Sequence, residues 1–373
     1  MVQILTWGSS FYLLAVLAPS IAQDTGWTLQ AIMGSLSLGL LVAGLLSPKV
    51  GALIDARGGR PVLLGGCTLL ALGLCVIALA PGLPVFALGW CIAGAGMAAS
   101  LYDAAFATLG RLYGAAARRP ITLLTLWGGF ASTVCWPISA FLDAHLGWRG
   151  ACLAYAAIQA FACVPLLMAS VPAAPAGRAD GAPRTRPPVA LHGRERTAFL
   201  LLAGIVTLAG TIASTMSVQV LALLQARGLG LAEAVAAGAL IGPAQVFARV
   251  IEQLSGGRHH PLWTMSWAVG LIGIGLILLA AGFPLVAAAL VAYGAGNGIF
   301  SIAKGTVPLA LFGAPSYPAL AGRLARPALL AQALAPLGAA YLLSMGGPAA
   351  VLGALVALWL GAAALLGVLW RAR

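Results

Sequence analysis

Gly51-Ala52-Leu53-Ile54-Asp55-Ala56-Arg57-Gly58-Gly59-Arg60-Pro61 is a short polar turn with an apolar run on each side, 32–53 before it and 62–80 after it. Each run is about 20 residues long, the length a helix needs to cross the hydrocarbon core of a bilayer. The turn gathers one acid, two bases and three glycines, and belongs in water. The same alternation of apolar run and polar turn continues along the chain. Of 373 residues, 61% are hydrophobic and 8% are charged, with a mean hydropathy of +1.01. A soluble domain carries about 25% charged residues, so lipid must be the solvent for most of this polypeptide. That excludes a cytosolic enzyme, a disordered regulator and a secreted disulfide scaffold.

Apolar runs between glycine, proline and charge breaks predict twelve spans, at 4–22, 32–53, 62–80, 84–108, 121–142, 149–170, 198–222, 233–254, 262–281, 284–304, 327–344 and 347–370. The expected fold class is an all-α membrane protein with 12 transmembrane helices in two pseudo-symmetric six-helix bundles. One long stretch holds Pro172, Pro175, Pro183, Pro187 and Pro188 among five arginines, a composition that buries no core. The expected organisation is therefore an N-terminal six-helix bundle at 1–171, a linker loop at 172–197 and a C-terminal six-helix bundle at 198–373. No Lys or Arg precedes the first apolar run, so the pattern of a cleavable signal is missing.

Basic residues orient the spans, because Lys and Arg concentrate in cytoplasmic loops. With the N-terminus inside, 16 of the 20 fall in cytoplasmic segments and two, Arg149 and Arg227, outside; Arg249 and Lys304 fall within spans. The expectation is a multi-pass protein of a bacterial inner membrane with both termini cytoplasmic. The net charge of +12 is then a topology signal and an attraction to anionic lipid. It does not call for a nucleic-acid partner. Six cysteines lie in apolar runs without a C-x-x-C pair, and His259-His260 stands alone in a loop. No metal or other cofactor is expected, and the absence of catalytic motifs argues against an enzyme.

The halves echo each other at an offset of about 200 residues. Gly94-Ala95-Gly96-Met97 matches Gly294-Ala295-Gly296-Asn297, and Arg119-Pro120 matches Arg326-Pro327. Asp55 followed by Gly58-Gly59-Arg60 matches Glu252 followed by Gly256-Gly257-Arg258. Parallel repeats of this kind place a substrate site at the repeat interface near the membrane midplane.

Twelve spans in two halves with a long central loop resemble the major facilitator superfamily. The sharpest likeness is the 51–61 turn, which resembles that family's G-x-x-x-D-R-x-G-R-R signature with one glycine added and Ala56 in place of a basic residue. The resemblance implies a gating cluster of Gly51, Asp55, Arg57, Gly59 and Arg60. It also implies a secondary active transporter that moves a small solute by alternating access, by symport or antiport. Two proton-antiporter motifs are degraded. Trp90 stands where the fourth-helix arginine is usual, and Trp136 precedes Pro137 in the fifth helix. These departures weigh against the alternative of a drug or multi-substrate efflux transporter. A non-transporting membrane receptor is the alternative of another class.

Charges within spans carry the functional expectations, since each costs about 2.5–3.5 kcal/mol even on the gentlest scale. Arg249 lies in the eighth span with Gln245 one turn before it and Glu252 nearly one turn after. One reading gives Arg249 an anionic substrate, with Gln245 adding a hydrogen bond, because a forked, permanently charged donor suits a carboxylate. The other is a structural Arg249–Glu252 pair at the cytoplasmic surface. An eighth-helix arginine is also similar to that of the monocarboxylate and oxalate–formate carrier branch, which leans the substrate toward a small, monocarboxylate-like anion. Asp103 and Lys304 hold nearly equivalent places in the two halves. They and Glu252 are candidates for proton coupling or for an inner gate, with Asp103 pairing with Arg111 or Lys304. The first span has no charged residue; Trp7 and Tyr12 there, with Gln219, Asn297 and Gln332, are candidates to line a solute cavity. The expected partners are a small-molecule substrate, the bilayer and, as a candidate coupling ion, protons, with the protein a monomer.

Overall fold

The computed structural model describes residues 1–173, 191–254 and 259–372. Among them every regular element is a helix. The order is α1 (Val2–Gly8), α2 (Leu14–Thr25), α3 (Leu29–Arg57), α4 (Gly59–Ala78), α5 (Leu83–Ser100), α6 (Tyr102–Tyr113), α7 (Arg118–Gly128), α8 (Ala131–Ile158) and α9 (Val164–Ser170). Then come α10 (Gly193–Gln225), α11 (Leu231–Ala239), α12 (Ile241–Leu254), α13 (Pro261–Ala280) and α14 (Val286–Arg371).

An 86-residue helix drawn straight at 1.5 Å per residue would be about four bilayer cores long. Instead α14 turns back at Gly313 and Gly347, whose φ angles are 73° and 64°. α8 turns at Gly147, with φ 68°. Left-handed backbone is open to glycine and costly for other residues, so these three positions end one pass and start the next. Counted this way, the described residues make twelve passes. The first is α1 with α2, the fourth α5 with α6, the fifth α7 with α8 up to Gly147, the sixth the rest of α8 with α9, and the eighth α11 with α12.

The boundaries differ from the hydropathy reading in three places. The seventh pass begins at Gly193, five residues before the expected 198. The tenth continues from 304 to the turn at Gly313, and the eleventh begins at Ala314, not 327. Gly305, Pro308, Pro315, Pro318, Arg323 and Arg326 interrupt the apolar run there without breaking the helices on either side of Gly313, because their inner faces are covered by other helices. Most of the expected linker, 174–190, lies outside the described residues, as do Gly256, Gly257 and Arg258.

Contacts gather the described residues into two compact units. One comprises Met1–Ala117, Phe130–Ala190 and Ala314–Arg326; the other comprises Arg118–Gly129, Leu191–Gly313 and Pro327–Arg373. A piece of the first half of the chain, 118–129, thus belongs with the second-half helices, and 314–326 belongs with the first-half helices.

The repeated glycines do the same work in each unit. In the first, a Cβ on Gly94 would fall on the Gly39 backbone of α3, and one on Gly96 would lie 2.7 Å from Leu70 N of α4. In the second, a Cβ on Gly294 would lie 2.8 Å from the Ile241 carbonyl oxygen at the start of α12, and one on Gly296 would lie 2.5 Å from Ile272 N of α13. Each pair lets one helix seat its backbone against two neighbours at once, the packing that drives helix association in lipid.

Candidate functional site

In the second unit, Leu240 interrupts the eighth pass between α11 and α12. Pro243 lies three residues beyond, where its ring conflicts with the Ala239 carbonyl. One turn further along α12, Gln245 and Arg249 stand at i and i+4 on one face. Arg249 is 4% exposed. Its Nε donates to the Gly298 carbonyl at 3.1 Å, Nη1 to the Thr125 carbonyl at 3.2 Å and Nη2 to Gln245 Oε1 at 3.4 Å. All three acceptors are neutral. A guanidinium carries five N–H groups, so one N–H on each of Nη1 and Nη2 is left over among the described residues.

The alternative Arg249–Glu252 pair does not form. Glu252 Oε1 sits 3.5 Å from Arg118 Nη2 and accepts a 2.7 Å hydrogen bond from Thr264 Oγ1. Arg118 also donates to the His259 carbonyl. Glu252 and Arg249 are three positions apart on α12, but each finds a partner on another element. Asn297 is half-buried, next to the Gly298 carbonyl in sequence. Gln219 is buried on α10; Ser214 on the same helix donates to the Gln332 carbonyl at 2.9 Å, and Gln332 Nε2 donates to the Ala328 carbonyl at 3.2 Å. Lys304 is half-buried on α14.

The first unit holds the other expected residues. Between α1 and α2 the helix gives way over 9–13. Trp7 contacts the rings of Phe11 at 5.6 Å, Tyr12 at 5.9 Å and Tyr102 at 4.9 Å, and Tyr12 contacts Trp136 at 6.3 Å. The Trp7 indole N–H and Gln3 Oε1 are buried without a hydrogen-bond partner among the described residues, although Gln3 Nε2 donates to the Ser100 carbonyl at 2.7 Å. Asp103 is in the first turn of α6, where the helix's partial positive charge complements a carboxylate.

The 51–61 turn joins α3 to α4 through Gly58, with φ 88°. Asp55 is half-buried in the last turn of α3, Arg57 is exposed and Arg60 is half-buried in the first turn of α4. Arg111 Nη1 donates to the Ile54 carbonyl at 2.8 Å, which places a cation at the C-terminal end of α3. A Cβ on Gly59 would fall on Thr108, and one on Gly51 would lie 2.5 Å from the Pro318 carbonyl oxygen. Ser47 Oγ donates to the Gly322 carbonyl at 3.0 Å.

The structure thus joins Arg249 to Gln245 in one unit and Trp7 to Tyr12 in the other. The partners that sequence reasoning missed are Thr125, Gly298, Arg118 and Gly322. Three of these act through backbone carbonyls, which carry no side-chain signature. Arg118 was counted only as a cytoplasmic charge.

Twelve apolar passes, duplicated glycine packing and a buried arginine whose acceptors among the described residues are neutral fit a multi-pass solute carrier. The sequence profile of the Major Facilitator Superfamily matches residues 1–259, and the chain belongs to that family. It has the fold of two pseudo-symmetric six-helix bundles shared by this family of membrane transporters. An uncharacterized 38 kDa protein of a 23S RNA operon in Thermoproteus tenax is 32% identical over 151 residues, 40% of this chain and 39% of that protein. Mouse monocarboxylate transporter 11 is 34% identical over 138 residues, 37% of this chain and 29% of that protein. The match therefore spans well under half the length of these relatives. Among solved structures, the human organic anion transporter MFSD10 superposes with a TM-score of 0.76 at 18% identity, covering 98% of this chain and 97% of that one. The E. coli fucose:proton symporter FucP gives 0.74 at 14% identity, covering 100% and 97%. At these identities the superpositions speak to the fold alone.

Proposed function

We propose that this chain is a secondary carrier of a small organic monoanion of the monocarboxylate type. The carrying observation is Arg249, 4% exposed and held by three neutral acceptors. A buried charge without a counter-ion is costly, and dipoles of carbonyls and an amide offset that cost only in part. A substrate carboxylate supplies the missing negative charge and can use the two remaining N–H groups as a bidentate fork. The 34% identity to a monocarboxylate transporter over 138 residues supports the same reading. Asp103, Lys304 and Glu252 are assigned to an inner gate or to proton coupling. We place the protein in a bacterial inner membrane, as a monomer with both termini in the cytoplasm and with the loop within 172–197 separating the first six passes from the last six.

Uptake of radiolabelled mono- and dicarboxylates into proteoliposomes, beside an Arg249→Ala variant, tests the assignment. Monocarboxylates are expected to enter and the variant to lose that uptake. If no carboxylate moves, or if the variant transports like the parent, the anion assignment is lost. Dependence on an imposed pH gradient that vanishes in Asp103→Asn would identify protons as the coupling ion.

A further inference from the structure

We propose that Gly129 is a positioning residue for Arg249, its missing side chain being the space that the guanidinium occupies. This rests on the reading of Arg249 as the substrate's anion ligand.

A Cβ built on Gly129 would fall on Arg249 Nη1 and lie 3.1 Å from its Cζ; the next nearest atom is the Leu126 carbonyl oxygen at 3.2 Å. The backbone of Gly129 does not require glycine, since its φ is outside the left-handed range. Nor is it a helix-packing glycine like Gly94 or Gly96, whose neighbours are the backbones of other helices. What an added methyl would displace is a charged group at the end of a flexible side chain.

The local chain prepares this place. α7 ends at Gly128 and α8 begins at Ala131, so the helix is interrupted at 129–130. Just before the interruption, the Thr125 carbonyl accepts from Gly129 N at 3.0 Å and from Arg249 Nη1 at 3.2 Å. Thr125 is fully buried, so water does not compete for that oxygen. On the far side, Gly298 brings its carbonyl to Nε, and a Cβ there would lie 2.5 Å from the Gln245 carbonyl oxygen. Arg249 is therefore fixed at Nη1 and Nε by two carbonyls, each next to a position where a side chain is missing. Gly129 sets how deep Nη1 sits and which way the remaining N–H groups point.

A methyl at 129 expels Nη1 from the Thr125 carbonyl and turns the fork. Gly129→Ala should raise KM for the transported monocarboxylate about tenfold, the loss expected for one hydrogen bond to a charged group, and change the maximal rate much less. The decisive test is a double-mutant cycle of Gly129→Ala with Arg249→Lys, whose shorter ammonium does not reach position 129. It is read twice: as monocarboxylate KM and rate in proteoliposomes, and as the unfolding midpoint of purified protein in detergent without substrate. Gly129→Ala should lower the midpoint with Arg249 present and leave it unchanged with Lys there. Equal lowering in both backgrounds makes Gly129 a packing residue and overturns the proposal. Coupled midpoints with no carboxylate uptake by any variant leave the positioning role standing and remove the anion reading. If Arg249→Lys does not yield folded protein, Arg249→Gln serves as the second background with the same outcomes.

Discussion

Two segments cross from one half of the chain into the other unit, and they are received by opposite chemistry. Segment 118–129 is received through charge and polar groups. Arg118 meets Glu252, and Arg249 donates to Thr125 beside the open position of Gly129. Segment 314–326 is received at a close backbone approach. Gly51 faces Gly322 with 3.2 Å between a Cβ at 51 and the Gly322 Cα, Ser47 donates to the Gly322 carbonyl, and Tyr317 packs over Gly110. The pseudo-symmetric fold repeats the exchange but not its interactions. A close contact between backbones tolerates no added volume. A contact built on ionised side chains tolerates local change and responds to ions. The chemistry proposed to face the substrate belongs to the second kind.

The largest effect should come from filling the close backbone contact. Gly51→Leu pushes a side chain against the Pro318 carbonyl and Gly322, neither of which can swing aside, and overpacking of this kind costs about 3 kcal/mol or more. The expected result is a sharp loss of monodisperse protein and of the unfolding midpoint; near-parental behaviour would mean that this contact yields and that the contrast between the two is false. Next comes Arg249→Ala. Its expected loss in carboxylate uptake is about 100-fold, the scale seen when one member of a buried charged pair is removed, with the protein still inserted and folded.

Breaking the exposed end of the polar contact should do less. With side chains 23% and 17% exposed, the Arg118–Glu252 pair is worth about 1 kcal/mol. Arg118→Ala should shift the midpoint modestly, salt should mask the difference, and the exchange Arg118→Glu with Glu252→Arg should recover part of it. Failure of the exchange, with Arg118→Ala still damaging, would show that the His259 carbonyl matters more than the ion pair.

The smallest effect belongs to a control outside both contacts. Beyond the apolar stretch of the first pass, Asp24 accepts from Trp148 Nε1 at 2.9 Å and pairs with Arg149. The Trp148 hydrogen bond first, and then Arg149, hold its carboxyl below the ordinary carboxylate value. A lowered folded-state pKa gives stability that is present above the unfolded Asp value, about 3.9, and is lost as pH falls through the folded value. Asp24→Asn should therefore lower stability slightly at neutral pH and flatten the acid side of the profile, the two proteins converging as pH falls, as thermal melts from pH 7 to pH 3 would show.

Much of this was legible in the chain. Hydropathy located the passes because hydrocarbon penalises every polar side chain within them. The Gly94/Gly296 type of echo was legible because small residues at close crossings leave a mark in sequence. Gln245 and Arg249 were legible as a pair because i and i+4 share a helix face. The helix at 314–326 was not, because its prolines, glycines and arginines resemble a loop until other helices cover it. The partner of Glu252 was not, because Arg249 is nearer in sequence while Arg118, 134 positions away, is nearer in space.

The amino-acid sequence alone determined that the protein lives in lipid, crosses it repeatedly as a duplicated helical unit and carries a buried arginine, since transfer free energy and helical periodicity act residue by residue. Only the tertiary structure decided what holds that arginine. Besides Gln245, its acceptors are main-chain carbonyls from segments 124 and 49 residues away, and main-chain oxygens are the same in every residue until folding brings particular ones together.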